Sequence, residues 1–93
     1  MPFLDYSTAT PLLSGLSSYT APANGMLSGA INVNANNDCT ICVNSRRIIR
    51  IRETVAVNTN CYPYILLLSK GDIVEWYGDA KSSDCTIFTY FKE

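Results

Sequence analysis

The stretch Tyr64–Gly78, YILLLSKGDIVEWYG, decides the fold. Four large aliphatics, Ile65, Leu66, Leu67 and Leu68, run unbroken into Ser69-Lys70-Gly71-Asp72, and a second apolar segment begins at Ile73. Successive side chains of a strand point to opposite faces, so a strand with one wet face alternates apolar and polar. Here Leu66 and Leu68 share one face and Ile65 and Leu67 the other, and both faces are apolar. Thr86–Phe91 repeats the pattern, with Ile87 and Phe91 on one side and Phe88 and Tyr90 on the other. A β-sandwich covers one side of each sheet. The second side of these two strands needs cover from outside the sandwich, because a contiguous apolar patch on a protein surface marks an interface. The simplest cover is another copy of the chain.

Outward from this stretch, turn residues recur every several positions, and no segment of about twelve residues keeps a helical period. Further strands are expected at Met26–Val33, Thr40–Val43, Ile48–Ile51, Thr54–Val57, Ile73–Tyr77 and Thr86–Phe91. NANND, NSR, NTNCYP, SKGD and GDAKSSD between them read as loops. Tyr19–Gly25 reads as a strand end entering a Pro/Asn-Gly turn. Short strands with no intervening helix predict an all-β antiparallel sandwich or barrel. Ninety-three residues, 47% hydrophobic and 16% charged, make one folded domain. Residues 1–17, mixed in Pro, Ser, Thr and scattered Leu and Phe, read as an arm, an anchoring segment or an irregular first strand, and residues 18–93 as the domain proper.

Composition argues against several classes of function. A net charge of −1 draws neither nucleic acid nor an anionic membrane, and no apolar run approaches the ~18 residues of a membrane span. The first 16 residues contain Asp5 and no Lys or Arg, unlike a secretory signal, so synthesis in a cytoplasm is expected. There is no histidine, which removes the commonest general base and leaves a cysteine nucleophile without an imidazole partner. Asp38, Asp72, Asp79 and Asp84 fall in expected loops and read as solvated turn residues. No catalytic residue, cofactor or metal is expected.

Cys39, Cys42, Cys61 and Cys85 could suggest zinc. Cys39 and Cys42, however, sit in the β-branched segment CTICV, where positions three apart point to opposite faces. Buried small hydrophobes are preferred to zinc or a disulfide. SRRIIRIRE is the one charged feature, with Arg46, Arg50 and Arg52 expected on one strand face and Ile49 and Ile51 on the other. Its functional reading is a site for phosphate, a sialic or uronic acid, or an acidic neighbour. The plainer reading, a solvated edge strand protected by its charges, is preferred, because the segment holds no aromatic to stack a sugar or base.

ILLLSKGDIVEW resembles the penultimate-strand signature of complement-type globular heads and tumour-necrosis-factor-like jelly rolls, in which a hydrophobic strand ends at a Lys/Arg-Gly-Asp turn. SSYTAPANG resembles an early strand and turn of the same heads. With the upstream LDYSTA it is most similar to the small heads of bacteriophage head and tail fibres. The resemblance implies a ten-strand jelly roll assembled as a homotrimer around its inner sheets. In the family, the strand before the Gly-Asp turn and the last strand both belong to that inner sheet. By position Leu66 and Leu68 match the sandwich core, which leaves Ile65 and Leu67 for the subunit interface, with Phe88 or Tyr90 as neighbours.

The expectation is therefore a non-enzymatic virion protein, made in the host cytoplasm. It would be a trimeric fibre-head or capsid-decoration module with capsid or fibre-shaft partners and adhesion to a host-surface glycan. The alternatives are a cellular carbohydrate-binding or cytokine-like jelly roll and, third, an oligonucleotide-binding barrel.

Overall fold

The computed structural model describes residues 3–34, 38–52, 59–78 and 85–92. These residues form eight strands and no helix: β1 (Leu4–Pro11), β2 (Ser18–Thr20), β3 (Gly25–Asn34), β4 (Asp38–Val43), β5 (Arg46–Arg52), β6 (Thr59–Leu68), β7 (Ile73–Gly78) and β8 (Ile87–Phe91). The chain is folded in half about the β4–β5 hairpin, so that β3 meets β6, β2 meets β7 and β1 meets β8, all antiparallel. Alternate pairs fall into different sheets, ordered β1-β8-β3-β6 and β2-β7-β4-β5. This is the strand order of a jelly roll.

Strand periodicity builds the core. In the first sheet Leu66, Leu27 and Phe88 stand in one row across β6, β3 and β8. In the second, Trp76, Ile41 and Ile49 stand in one row across β7, β4 and β5. Leu27, Phe88, Ile41 and Trp76 are buried between the two layers together with Val74, Leu68 and Cys39. Each fully buried large side chain contributes roughly 1.5–3 kcal/mol. At one end, Tyr19 of β2 packs on Phe88 at a centroid distance of 5.8 Å, and Tyr90 packs edge-on to Phe88 at 5.6 Å.

The turns are pinned to one another. Asn44 and Ser45 form a two-residue hairpin loop with φ of 52° and 67°, left-handed values that suit the twist of the flanking strands and that Asn tolerates well. The Asn44 amide donates to Asp72 Oδ1 at 3.0 Å, and its Oδ1 accepts from the Ile73 N–H at 2.9 Å. Asp72 Oδ2 also accepts from the Ser69 N–H at 2.8 Å. Gly71 takes φ 92° and donates its N–H to the Ala21 carbonyl. The Lys-Gly-Asp turn therefore acts as a clamp between two other turns.

Several expectations change. Leu4–Pro11, within the expected arm, is a strand of the first sheet and pairs with β8, so the irregular-strand option describes it. The irregularity is real: the ladder shifts between Asp5 and Thr10, and Thr8 Oγ1 accepts the Tyr90 N–H there in place of a backbone carbonyl. β6 begins at Thr59, so most of NTNCYP is strand rather than loop. Pro63 lies on β6, an edge strand among the described residues, which is where a sheet tolerates proline. Thr54–Val57 lies outside the described residues. Among the described residues eight strands stand where the resemblance implied ten. Of the cysteines, Cys39 is the buried hydrophobe expected, but Cys42 is half-buried and Cys61 and Cys85 are exposed.

Candidate functional site: two outer faces of opposite character

Each sheet turns one face inward and one outward, and the outward faces differ sharply. On the first sheet the register sets Leu67 beside Met26 and Thr89, and Ile65 beside Ser28 and Ile87. Ala30 and Pro63 follow in the next row. None of these eight residues is Asp, Glu, Lys or Arg. Ile65 is 64% exposed and Leu67 68%, while Leu66 and Leu68 between and beside them are buried. The two-sided apolar strand is thus inside on one side and bare on the other.

The expected neighbours of this pair are corrected. Phe88 is 1% exposed and faces Leu27 within the sandwich. Tyr90, two residues on, lies on the same side as Phe88 and is 36% exposed at the end of the sandwich. The β8 residues that share the face of Ile65 and Leu67 are Ile87 and Thr89. In a strand apolar on both sides, alternation cannot say which phase points inward; pairing to Leu27 decides it.

The outer face of the second sheet carries charged side chains beside the exposed Ile73 and Tyr77. Arg50 grips Asp38 with two bonds, Nη2 to Oδ2 at 2.7 Å and Nε to Oδ1 at 3.3 Å. These bonds from Arg50, with the charges of Arg52 and Arg47, hold the Asp38 carboxyl below the usual carboxylate range. Tyr77 donates its hydroxyl to Glu75 Oε2 at 2.8 Å, which raises its own pKa.

The grouping of arginines also changes. The β4–β5 ladder shifts between Ile41 and Cys42, where Ile48 is the extra residue of a bulge. Arg47 thereby stands opposite Cys42, in line with Arg50 and Arg52, and Arg46 is moved opposite Val43, a residue packed on the core. Nothing in SRRIIRIRE announces the bulge. Among the described residues, no cluster of three His, Cys, Asp or Glu side chains could hold a metal ion. No helix of the described residues is long and apolar enough to cross a membrane.

No family model matches the sequence, and no curated protein matches it. Among solved structures the chain is similar to that of rabbit GITRL, a tumour-necrosis-factor-family ligand. The two align with a TM-score of 0.53 and 16% identity over 89% of this chain and 74% of that one. At that identity the likeness concerns the fold alone: the chain has a tumour-necrosis-factor-like jelly-roll fold.

Proposed function

We propose that this chain is a non-enzymatic binding module that works as a homotrimer, of the cytokine-like or carbohydrate-binding kind. The observation that carries the reading is the exposure of Ile65 and Leu67 on a sheet face without charges. Covering the exposed part of each side chain would contribute roughly 1–2 kcal/mol, repeated in every subunit, and assembly would then be inseparable from folding stability. Three copies packed on this sheet would leave the charged outer faces in water. The similarity to GITRL supports this reading over others. Sedimentation equilibrium of the purified chain tests it: a trimer mass supports it, and a monomer overturns it.

A second reading is a fibre-head or capsid-decoration module of a bacteriophage virion, with capsid or fibre-shaft proteins and a host-surface glycan as partners. It is favoured by LDYSTA (4–9) and SSYTAPANG (17–25), which form most of β1 and then β2 with its turn. Electron micrographs of virions labelled with antibody to the chain separate the two readings: decorated particles support the virion reading, and bare ones overturn it.

A further inference from the structure

A concave site opens at the end of the sandwich where the β2–β3 and β6–β7 turns meet the end of β8. This cleft of about 490 Å³ is lined by Pro22, Asn24, Lys70, Tyr90, Phe91 and Lys92, and its volume lies within the ~300–1,000 Å³ typical of small-ligand sites. Its walls are held by the backbone. The Lys70 N–H donates to Asn24 Oδ1 at 2.8 Å and the Phe91 N–H to the Asn24 carbonyl at 3.0 Å. The Lys92 N–H donates to the Phe3 carbonyl at 2.7 Å. The Tyr90 ring is steadied edge-on against Phe88.

Lys70 and Lys92 therefore border one opening together with Tyr90 and Phe91, and no Asp or Glu lines it among the described residues. Asp5, whose carboxyl feels the charge of Lys92, is not part of the lining and already accepts the Ser7 hydroxyl and N–H. The arginine face is a poorer ligand site. It is the open face of a sheet, and its Arg50 guanidinium is already taken by Asp38.

We propose that the cleft binds a carboxylate-bearing sugar, a uronic or sialic acid unit. Lys70 and Lys92 would take the carboxylate through charge-assisted hydrogen bonds, and the Tyr90 ring would cover the apolar C–H face of the sugar. This assignment rests on the binding-module reading and names its ligand class.

The test is a titration of isotope-labelled protein, followed by amide resonances, with glucuronic acid and N-acetylneuraminic acid. Glucose and inorganic phosphate serve as controls, and light scattering is run on the same samples. One or both acids should shift Asn24, Lys70, Tyr90 and Phe91, while glucose should not. The double substitution Lys70→Gln with Lys92→Gln should weaken the binding roughly tenfold or more. No shift with either acid overturns the proposal. So do equal shifts with glucose, equal affinity for phosphate, shifts confined to Arg47, Arg50 and Arg52, or unchanged binding by the double variant. A trimer that ignores both acids overturns the cleft and leaves the trimeric reading standing; a monomer that binds them overturns the trimer and leaves the cleft standing.

Discussion

The phenolic oxygen of Tyr64 accepts a hydrogen bond from Nε1 of Trp76 at 3.2 Å, joining the two sheets inside the core. The buried Thr86 hydroxyl bonds to the same phenol. Gly29, directly across the ladder from Tyr64, leaves room for it, since a Cβ there would press on both Thr86 and the phenol. Burial pushes the Tyr64 pKa up.

Tyr64→Phe should therefore cost about 1–3 kcal/mol, because the Trp76 N–H is left buried without its acceptor. Urea unfolding should show a lower midpoint at an unchanged slope. The raised pKa adds a signature at high pH. The folded state holds the phenol proton more tightly than the unfolded chain, so this contribution is full below about pH 10 and is lost as the pH rises through the folded pKa. The Phe variant should lack that part of the alkaline loss.

Leu67→Asp should yield monomer or aggregate, because it places a charge on the charge-free face next to Met26. Ile48→Asp, on the second sheet at a bulge residue that is 55% exposed, should leave the assembly unchanged. Light scattering on both proteins checks this; an intact, soluble Leu67→Asp trimer would place residue 67 outside the interface.

Asp72→Asn should lower the thermal midpoint at neutral pH, since an amide cannot accept from both Asn44 and Ser69 without turning a donor toward one of them. The bonds from Asn44 and then Ser69 hold the Asp72 pKa down. Stability from a lowered carboxyl pKa is present above the unfolded value, near pH 4, and is lost as the pH falls through the folded one. The gap between wild type and variant should therefore narrow in acid.

Arg50→Ser combined with Arg52→Ser should leave the thermal midpoint nearly unchanged, because the Arg50–Asp38 pair is roughly half in water. Loss of soluble protein would show these arginines to be buried partners in the assembly.

Deleting residues 2–14 should reduce soluble yield, because it removes β1 and bares the edge of β8. Full yield and a wild-type thermal midpoint in the truncated chain would show the strand to be dispensable.

Much of this architecture was legible in the sequence. The bare pair Ile65 and Leu67 follows from period-2 alternation through four aliphatics, once Leu66 and Leu68 are assigned inward. The phase of Phe88 was not legible, because every neighbour in Ile87–Phe91 is either apolar or a Thr that suits either side. Arg46 was misplaced because a bulge moves one residue without any compositional mark. The first strand was obscured by its own Ser/Thr bonds, which replace ladder bonds around Asp5 and Thr8. The Lys70–Lys92 cleft joins residues far apart in sequence, and only the folding-in-half of the chain unites them.

That halved path also sets an order of events. The Asn44–Ser45 hairpin closes the shortest loop, and each pairing outward from it, β3 with β6, β2 with β7, then β1 with β8, closes a longer one at slowly rising entropic cost. During synthesis β1 to β3 leave the ribosome before any of their pairing partners exist. The N-terminal half must wait with its strand edges unpaired until the C-terminal half is made, which exposes it to aggregation in that interval. The chain should therefore fold slowly, from its middle toward its ends, with the β1–β8 ladder forming last.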